Sequence, residues 1–134
     1  MDEQQFKHRT KQLGLQAICL VEELPKNRPS DVIGRQLLRS ATAIGANYRA
    51  ACRGRSSADV LSKLGVVEEE TDETLYWLEL LAEAKLVSPE RLAGLMSETE
   101  EILAMTVASI KTLRLRTVVV GSQSKIQNSK SKIC

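Results

Sequence analysis

Aromatic residues are nearly missing from this 134-residue chain, which has one Phe, one Trp and two Tyr. Base recognition by rows of stacked rings therefore has little material to work with. Histidine occurs once, as His8. That removes the Glu-x-x-His pairs with which helix bundles hold bridged metals. Proline is down to three residues, as suits long helices. No apolar run approaches the roughly 20 residues of a membrane span. The opening residues MDEQQFKHR are acidic and polar with no apolar core, so no secretory signal is expected. Cys19, Cys52 and Cys134 are odd in number and lack CxxC spacing. They read as reduced thiols of a cytoplasmic protein, two of them packed in helices. Neither GxxxxGK[ST] nor GxGxxG is present, so a phosphate-cradling glycine loop is excluded.

Leu, Ala, Glu, Lys and Arg fill the chain instead, as in a helical protein with one ordinary core. The net charge of +2 hides a strong segregation. Residues 1–55 carry ten Lys/Arg against five Asp/Glu, residues 56–110 three against twelve, and residues 111–134 six against none. Opposite charges on neighbouring helices usually pair with each other before they serve an outside partner.

Apolar spacing predicts four helices. From Glu3 to Leu24, Phe6, Leu13, Ala17, Leu20 and Leu24 recur on three- and four-residue steps, with Thr10 in the gap; this is one buried stripe. Ile18 and Val21 widen it. The turn-formers of Pro25–Ser30 follow, with Lys7, His8, Arg9 and Lys11 expected on a solvated face. Ser30 is the expected N-cap of a second helix reaching Arg53. Its core face is Ile33, Leu37, Ala41, Ile44, Tyr48 and Cys52, and Arg35, Arg39, Arg49 and Arg53 lie within about 80° of each other on the opposite face. Small residues crowd its middle. Gly34 and Gly45, each about 1 kcal/mol worse than Ala in a helix, imply close approach by another helix.

Gly54 is expected to stop that helix. Ser56 and Asp59 then match a capping box for a third, which reaches Leu86 over about 45 Å. Val60, Leu64, Val67, Thr71, Leu75, Leu78 and Leu81 form its core stripe. A second stripe of Val66, Trp77, Leu80 and Ala84, beside Tyr76, predicts a subunit contact, because one core cannot bury both. Glu68, Glu69, Glu70, Asp72 and Glu73 read as partners for the arginines of the second helix, not as metal ligands. Ser88, Pro89 and Glu90 open a fourth helix. It buries Leu92, Leu95, Thr99, Ile102, Thr106, Ile110 and Leu113 and carries Lys111, Arg114 and Arg116 in its last turns. Thr117–Val120 is expected to end it. Residues 1–120 thus form an all-α, up-down-up-down antiparallel four-helix bundle, and residues 121–134 a disordered polar tail.

The segments QLLRSATAIGANYRAACRGRS, KLGVVEEETDETLYWLELL and ETEEILAM resemble the bacterial four helix bundle protein family. It is also called the S23 family, after proteins encoded in intervening sequences of ribosomal RNA genes. The likeness spans about Phe6 to Leu115. It departs from the family pattern at Ala43, where serine is usual, and at Arg49-Ala50-Ala51. The resemblance implies a ring-like homo-oligomer, pentamers being known among relatives, and no established enzymatic activity. Distant relatives bind a reverse transcriptase and nucleic acid through a basic surface. The motif positions here are Arg39, Ser40, Gly45, Asn47, Arg53, Arg55 and Ser56.

Two function classes follow. In the first, Arg35, Arg39, Arg49, Arg53, Arg55, Lys111, Arg114 and Arg116 contact RNA, DNA or a reverse transcriptase, by phosphate contacts with little sequence preference. In the second, the arginines pair with Glu68–Glu73 of the same or an adjacent subunit, and the protein is purely structural. An enzyme is not expected, since Cys52 and Ser40 have no nearby histidine. No cofactor, metal, membrane or small-molecule ligand is expected either.

Overall fold

The computed structural model describes residues 2–127, with side chains over 2–116. Its four helices are α1 (Glu3–Glu22), α2 (Arg28–Cys52), α3 (Ser57–Glu83) and α4 (Pro89–Gln127), and no strand occurs among the described residues. Loops this short force each helix to run back along the one before it. Phe6 packs on Tyr48, Ser40 meets Thr74, and Glu23 bonds Arg91. The first and last of these join opposite ends of their helices, so the α1–α2 and α1–α4 pairs are antiparallel. The core holds Phe6, Leu13, Leu20, Leu37, Ile44, Val67, Leu78, Leu81, Leu92 and Ile102. A smaller cluster of Ala51, Leu64 and Ile110, with Leu113 and Tyr48 against it, closes the end where α2 turns into α3.

The α1 and α4 stripes lie where their spacing puts them, with Thr10, Thr99 and Thr106 buried among the apolar groups. A buried hydroxyl costs little when it bonds a carbonyl one turn back in its own helix. Thr71, Thr99 and Thr106 do so at 2.6, 2.7 and 2.8 Å. On α3, Thr74 is fully buried while Val60 and Leu75 are only half-buried. Ile18 does not join the core and is 40% exposed.

Helix α2 begins three residues earlier than expected. Asn27, not Ser30, is its N-cap, and its side chain accepts a 2.9 Å bond from the Ser30 amide. Pro29 fits the first turn because its missing N–H is one that a helix start leaves free. At the next boundary Ser56 caps α3 by accepting from the Asp59 amide at 3.1 Å, and the Asp59 carboxylate accepts from the Arg55 amide at 3.2 Å. Gly14 and Gly45 sit where α1 crosses α2. A Cβ on Gly45 would lie 3.5 Å from the Thr10 backbone, and one on Gly14 3.7 Å from the Ala41 carbonyl.

Helix α4 runs past its expected end at Thr117–Val120. It continues through Thr117–Val120 and Gly121 to Gln127, because β-branched residues cost a helix only about half a kcal/mol each and no proline intervenes. The remainder of the expected tail, 128–134, and with it Cys134, lies outside the described residues. No helix among the described residues is long and apolar enough to cross a membrane.

Candidate nucleic-acid interface

The expected arginine face of α2 divides in two along its length. In the upper half, Arg39 faces α3: its guanidinium pairs with Glu70 at 3.2 Å and with Glu73. The Trp77 indole also donates to Glu73, at 3.0 Å. The Arg39 guanidinium, and then the Trp77 N–H, hold the Glu73 carboxyl below its usual pKa. Arg35 pairs one turn back with Asp31 at 3.1 Å. Both arginines are thus engaged within the chain.

In the lower half, Arg49 and Arg53 are exposed and line an open groove between α1 and α2 of about 640 Å³. Lys7, His8 and Lys11 line its other wall, and Gly14 and Gly45 lie at the crossing. Arg55 is exposed at the following corner, and Lys111, Arg114 and Arg116 are exposed on α4. The contacts of Ile110 and Leu113 with Tyr48, Ala51, Val60 and Leu64 put that part of α4 level with the α2–α3 corner. Six cations from α2, the corner and α4 therefore gather at one end of the bundle. None of the six forms an ion pair among the described residues. The acids of this end are already used: Asp2 caps α1, Glu3 pairs with Lys7 at 3.3 Å, and Asp59 bonds the corner backbone.

By sequence Lys7 and Lys11 belong to a plain solvated face; the groove gives them a basic neighbour across from them. The signal available was their own one-turn spacing set against that of Arg49 and Arg53. Arg9, from the same run, is half-buried and paired. It makes a two-pronged bond to Glu98 at 2.6 and 2.8 Å and reaches Glu101 at 2.8 Å, joining α1 to α4.

On the second α3 stripe, Val66, Trp77 and Leu80 are half-buried, while Tyr76, at 52% exposure, and Ala84 face outward. The Tyr76 and Trp77 rings meet edge to face at 5.0 Å. Of the nucleophile candidates, Ser40 is fully buried and bonded to Thr74 and to the Leu37 carbonyl. Burial pushes the Cys52 thiol up, which keeps it protonated and a poor nucleophile. Among the described residues no group of three or more His, Cys, Asp or Glu is placed to hold a metal ion.

A solved crystal structure of a protein with unknown function, from the S23 ribosomal protein family of Bacteroides thetaiotaomicron VPI-5482, superposes with a TM-score of 0.77. It is 32% identical and covers 83% of this chain and 99% of its own. No curated protein matches. The family described as 23S rRNA-intervening sequence protein matches residues 2–108, so Arg49, Arg53 and Arg55 fall inside the match and Lys111, Arg114 and Arg116 beyond it. Through that match, which takes in α1 to α3 and the first half of α4, the chain belongs to the 23S rRNA-intervening sequence protein family.

Proposed function

We propose that this protein is a non-catalytic, self-assembling helical module that binds nucleic acid through its basic end. The observation that carries this reading is the gathering of Arg49, Arg53, Arg55, Lys111, Arg114 and Arg116, all exposed and without an ion pair among the described residues, at one end. Phosphate contacts need clustered Arg and Lys and nothing more. The partner is RNA or DNA, or a nucleic-acid-handling enzyme such as a reverse transcriptase delivering it. Arg35 and Arg39 are left out of this surface, because Asp31, Glu70 and Glu73 already neutralise them.

Self-assembly is proposed through the outward side of α3, at Val66, Tyr76, Trp77, Leu80 and Ala84. A ring of copies, five if it follows the resemblance, sets several basic ends side by side, and each further contact gains from the high local concentration. The setting is cytoplasmic, where nucleic acid is at hand. Native mass spectrometry with and without nuclease treatment, paired with a titration of RNA and DNA at low and moderate salt, tests both halves. The expected result is an oligomer whose affinity falls steeply with salt. No binding at about 50 mM salt overturns the nucleic-acid half, since several phosphate contacts must register there. A monomer at micromolar concentration overturns the assembly half.

One observation favours a second, purely structural reading for part of the face. Arg39 meets the acidic stretch of α3, as an internal pairing requires. Under that reading Arg39→Glu unfolds or dissociates the protein, whereas a ligand-binding arginine leaves it intact.

A further inference from the structure

Helix α4 is the longest of the four, 39 residues against 27 for α3, or about 58 Å against about 40 Å at 1.5 Å per residue. In its second half Ile110 and Leu113 pack in the cluster at the α2–α3 corner. Beyond Leu113, Arg114, Leu115 and Arg116 are all exposed, Leu115 at 67%. The backbone stays helical for a further stretch, to Gln127. From Lys111 to Gln127 the sequence holds Lys111, Arg114, Arg116 and Lys125 and not one acid. Lys111, Arg114 and Arg116 thus lie exposed beside the arginines of the corner.

We infer that this part of α4, through Lys111, Arg114 and Arg116, is a clamp for duplex nucleic acid, holding the phosphate backbone against the Arg53–Arg55 corner. The inference rests on the nucleic-acid reading above and names the form that is bound. The choice of duplex over single strand comes from what the basic end lacks. A single strand is usually held by rings on which its bases stack, and here none of the Phe, Tyr or Trp rings is offered. Phe6 is buried, and Tyr48 is half-buried with its ring against Phe6 at 4.5 Å. Tyr76 and Trp77 lie on α3 well above the corner, at the level of Arg39 and Glu73. With phosphate contacts alone available, the partner with the denser charge is preferred; a duplex carries one charge per roughly 1.7 Å of axis.

The experiment is a fluorescence anisotropy titration of the full chain with a labelled 20-base-pair duplex and with its single strand, across a salt series. Three proteins are compared: wild type, Lys111→Gln/Arg114→Gln/Arg116→Gln, and Arg49→Gln/Arg53→Gln/Arg55→Gln. All six positions are exposed, and circular dichroism confirms that each variant is folded. Wild type is expected to bind the duplex at least about tenfold tighter than the single strand. The α4 variant should lose most of that preference and flatten the log–log salt slope by about 2.7, since each contact contributes about 0.9. Equal affinity of wild type for duplex and single strand overturns the inference. So does an α4 variant that binds like wild type while the corner variant loses binding; either result leaves the broader reading standing. Absence of wild-type binding to both probes at about 50 mM salt overturns the broader reading itself.

Discussion

The Thr74 hydroxyl lies 2.9 Å from the Ser40 hydroxyl across the seam between α2 and α3, and both residues are fully buried. Each oxygen also has a carbonyl of its own helix in reach, Leu37 for Ser40 at 3.2 Å and Glu70 for Thr74 at 2.8 Å. Whichever way the two protons point, both oxygens are paired. Ser40→Ala removes one buried bond and leaves Thr74 its carbonyl, so the expected loss is about 1 kcal/mol and not the larger cost of an orphaned group. In a double-mutant cycle with Thr74→Val, urea unfolding should give a coupling of about 0.5 kcal/mol or more. Strict additivity would show that the contact between the hydroxyls adds nothing to packing.

Two glycines of the α2 region should respond to alanine in opposite ways. At Gly45 a Cβ would meet the Thr10 backbone at an ordinary 3.5 Å, while the helix gains up to about 1 kcal/mol of propensity. Gly45→Ala is therefore expected to be neutral or to raise the melting temperature. At Gly54 a Cβ would collide with Val60 Cγ2 and crowd the Ala51 carbonyl at 3.1 Å. Gly54→Ala should destabilise by about 1–3 kcal/mol, the usual range for overpacking. Thermal melts of the two variants side by side decide the matter.

Lys85 closes α3 with a φ of +60°, where no other non-glycine residue among those described has a positive φ. The Leu86 amide donates to the Leu81 carbonyl and the Lys85 amide to that of Ala82, both at 3.0 Å. This is the double bond with which helices commonly end on glycine. A side chain in the left-handed region costs about 1–2 kcal/mol, partly offset by the greater chain entropy that glycine loses on folding. Lys85→Gly should thus stabilise by about 0.5–1 kcal/mol in chemical denaturation. A lower stability would mean that the lysine stem covers apolar surface worth more than the strain.

Much of this was legible in the sequence because helical periodicity is a local property. The α1 and α4 stripes, the proline start of α4 and the serine cap of α3 each need only a few neighbouring residues to be read. The N-cap of α2 was misplaced because Asn27 and Ser30 are both good caps, and Pro29 between them fits on either side of the boundary. Thr74 was missed because a threonine reads as polar until its i−4 carbonyl and a partner across the seam are known. The arginine face of α2 was found as a face, but its division was not. One-helix geometry puts Arg39 beside Arg49, and only the packing angle of α3 decides that Arg39 meets Glu70 while Arg49 borders the α1 groove. The end of α4 was set too early because β-branching is a weak signal against a helix that needs only its own carbonyls.

The last prediction concerns acid. Glu73 is held below its ordinary pKa of 4.5 first by Arg39 and then by the Trp77 indole, so the folded state binds its proton less readily than the unfolded chain does. Stability from that group is fully present above the unfolded value and is lost as pH falls through the lowered folded one. The Glu73 side chain is 35% and the Arg39 side chain 49% exposed, so solvent screening keeps the contribution near that of a surface pair, about 0.5–1 kcal/mol. Glu73→Gln should therefore be less stable than wild type by that amount at neutral pH. The gap should hold down to about pH 5 and close as pH falls through the lowered folded value, where the wild-type carboxylate itself becomes neutral. Urea midpoints measured from pH 7 to pH 3 give the comparison, and added salt should narrow the gap at neutral pH. A difference that persists unchanged at pH 3 would assign the effect to packing around Trp77 instead of to charge.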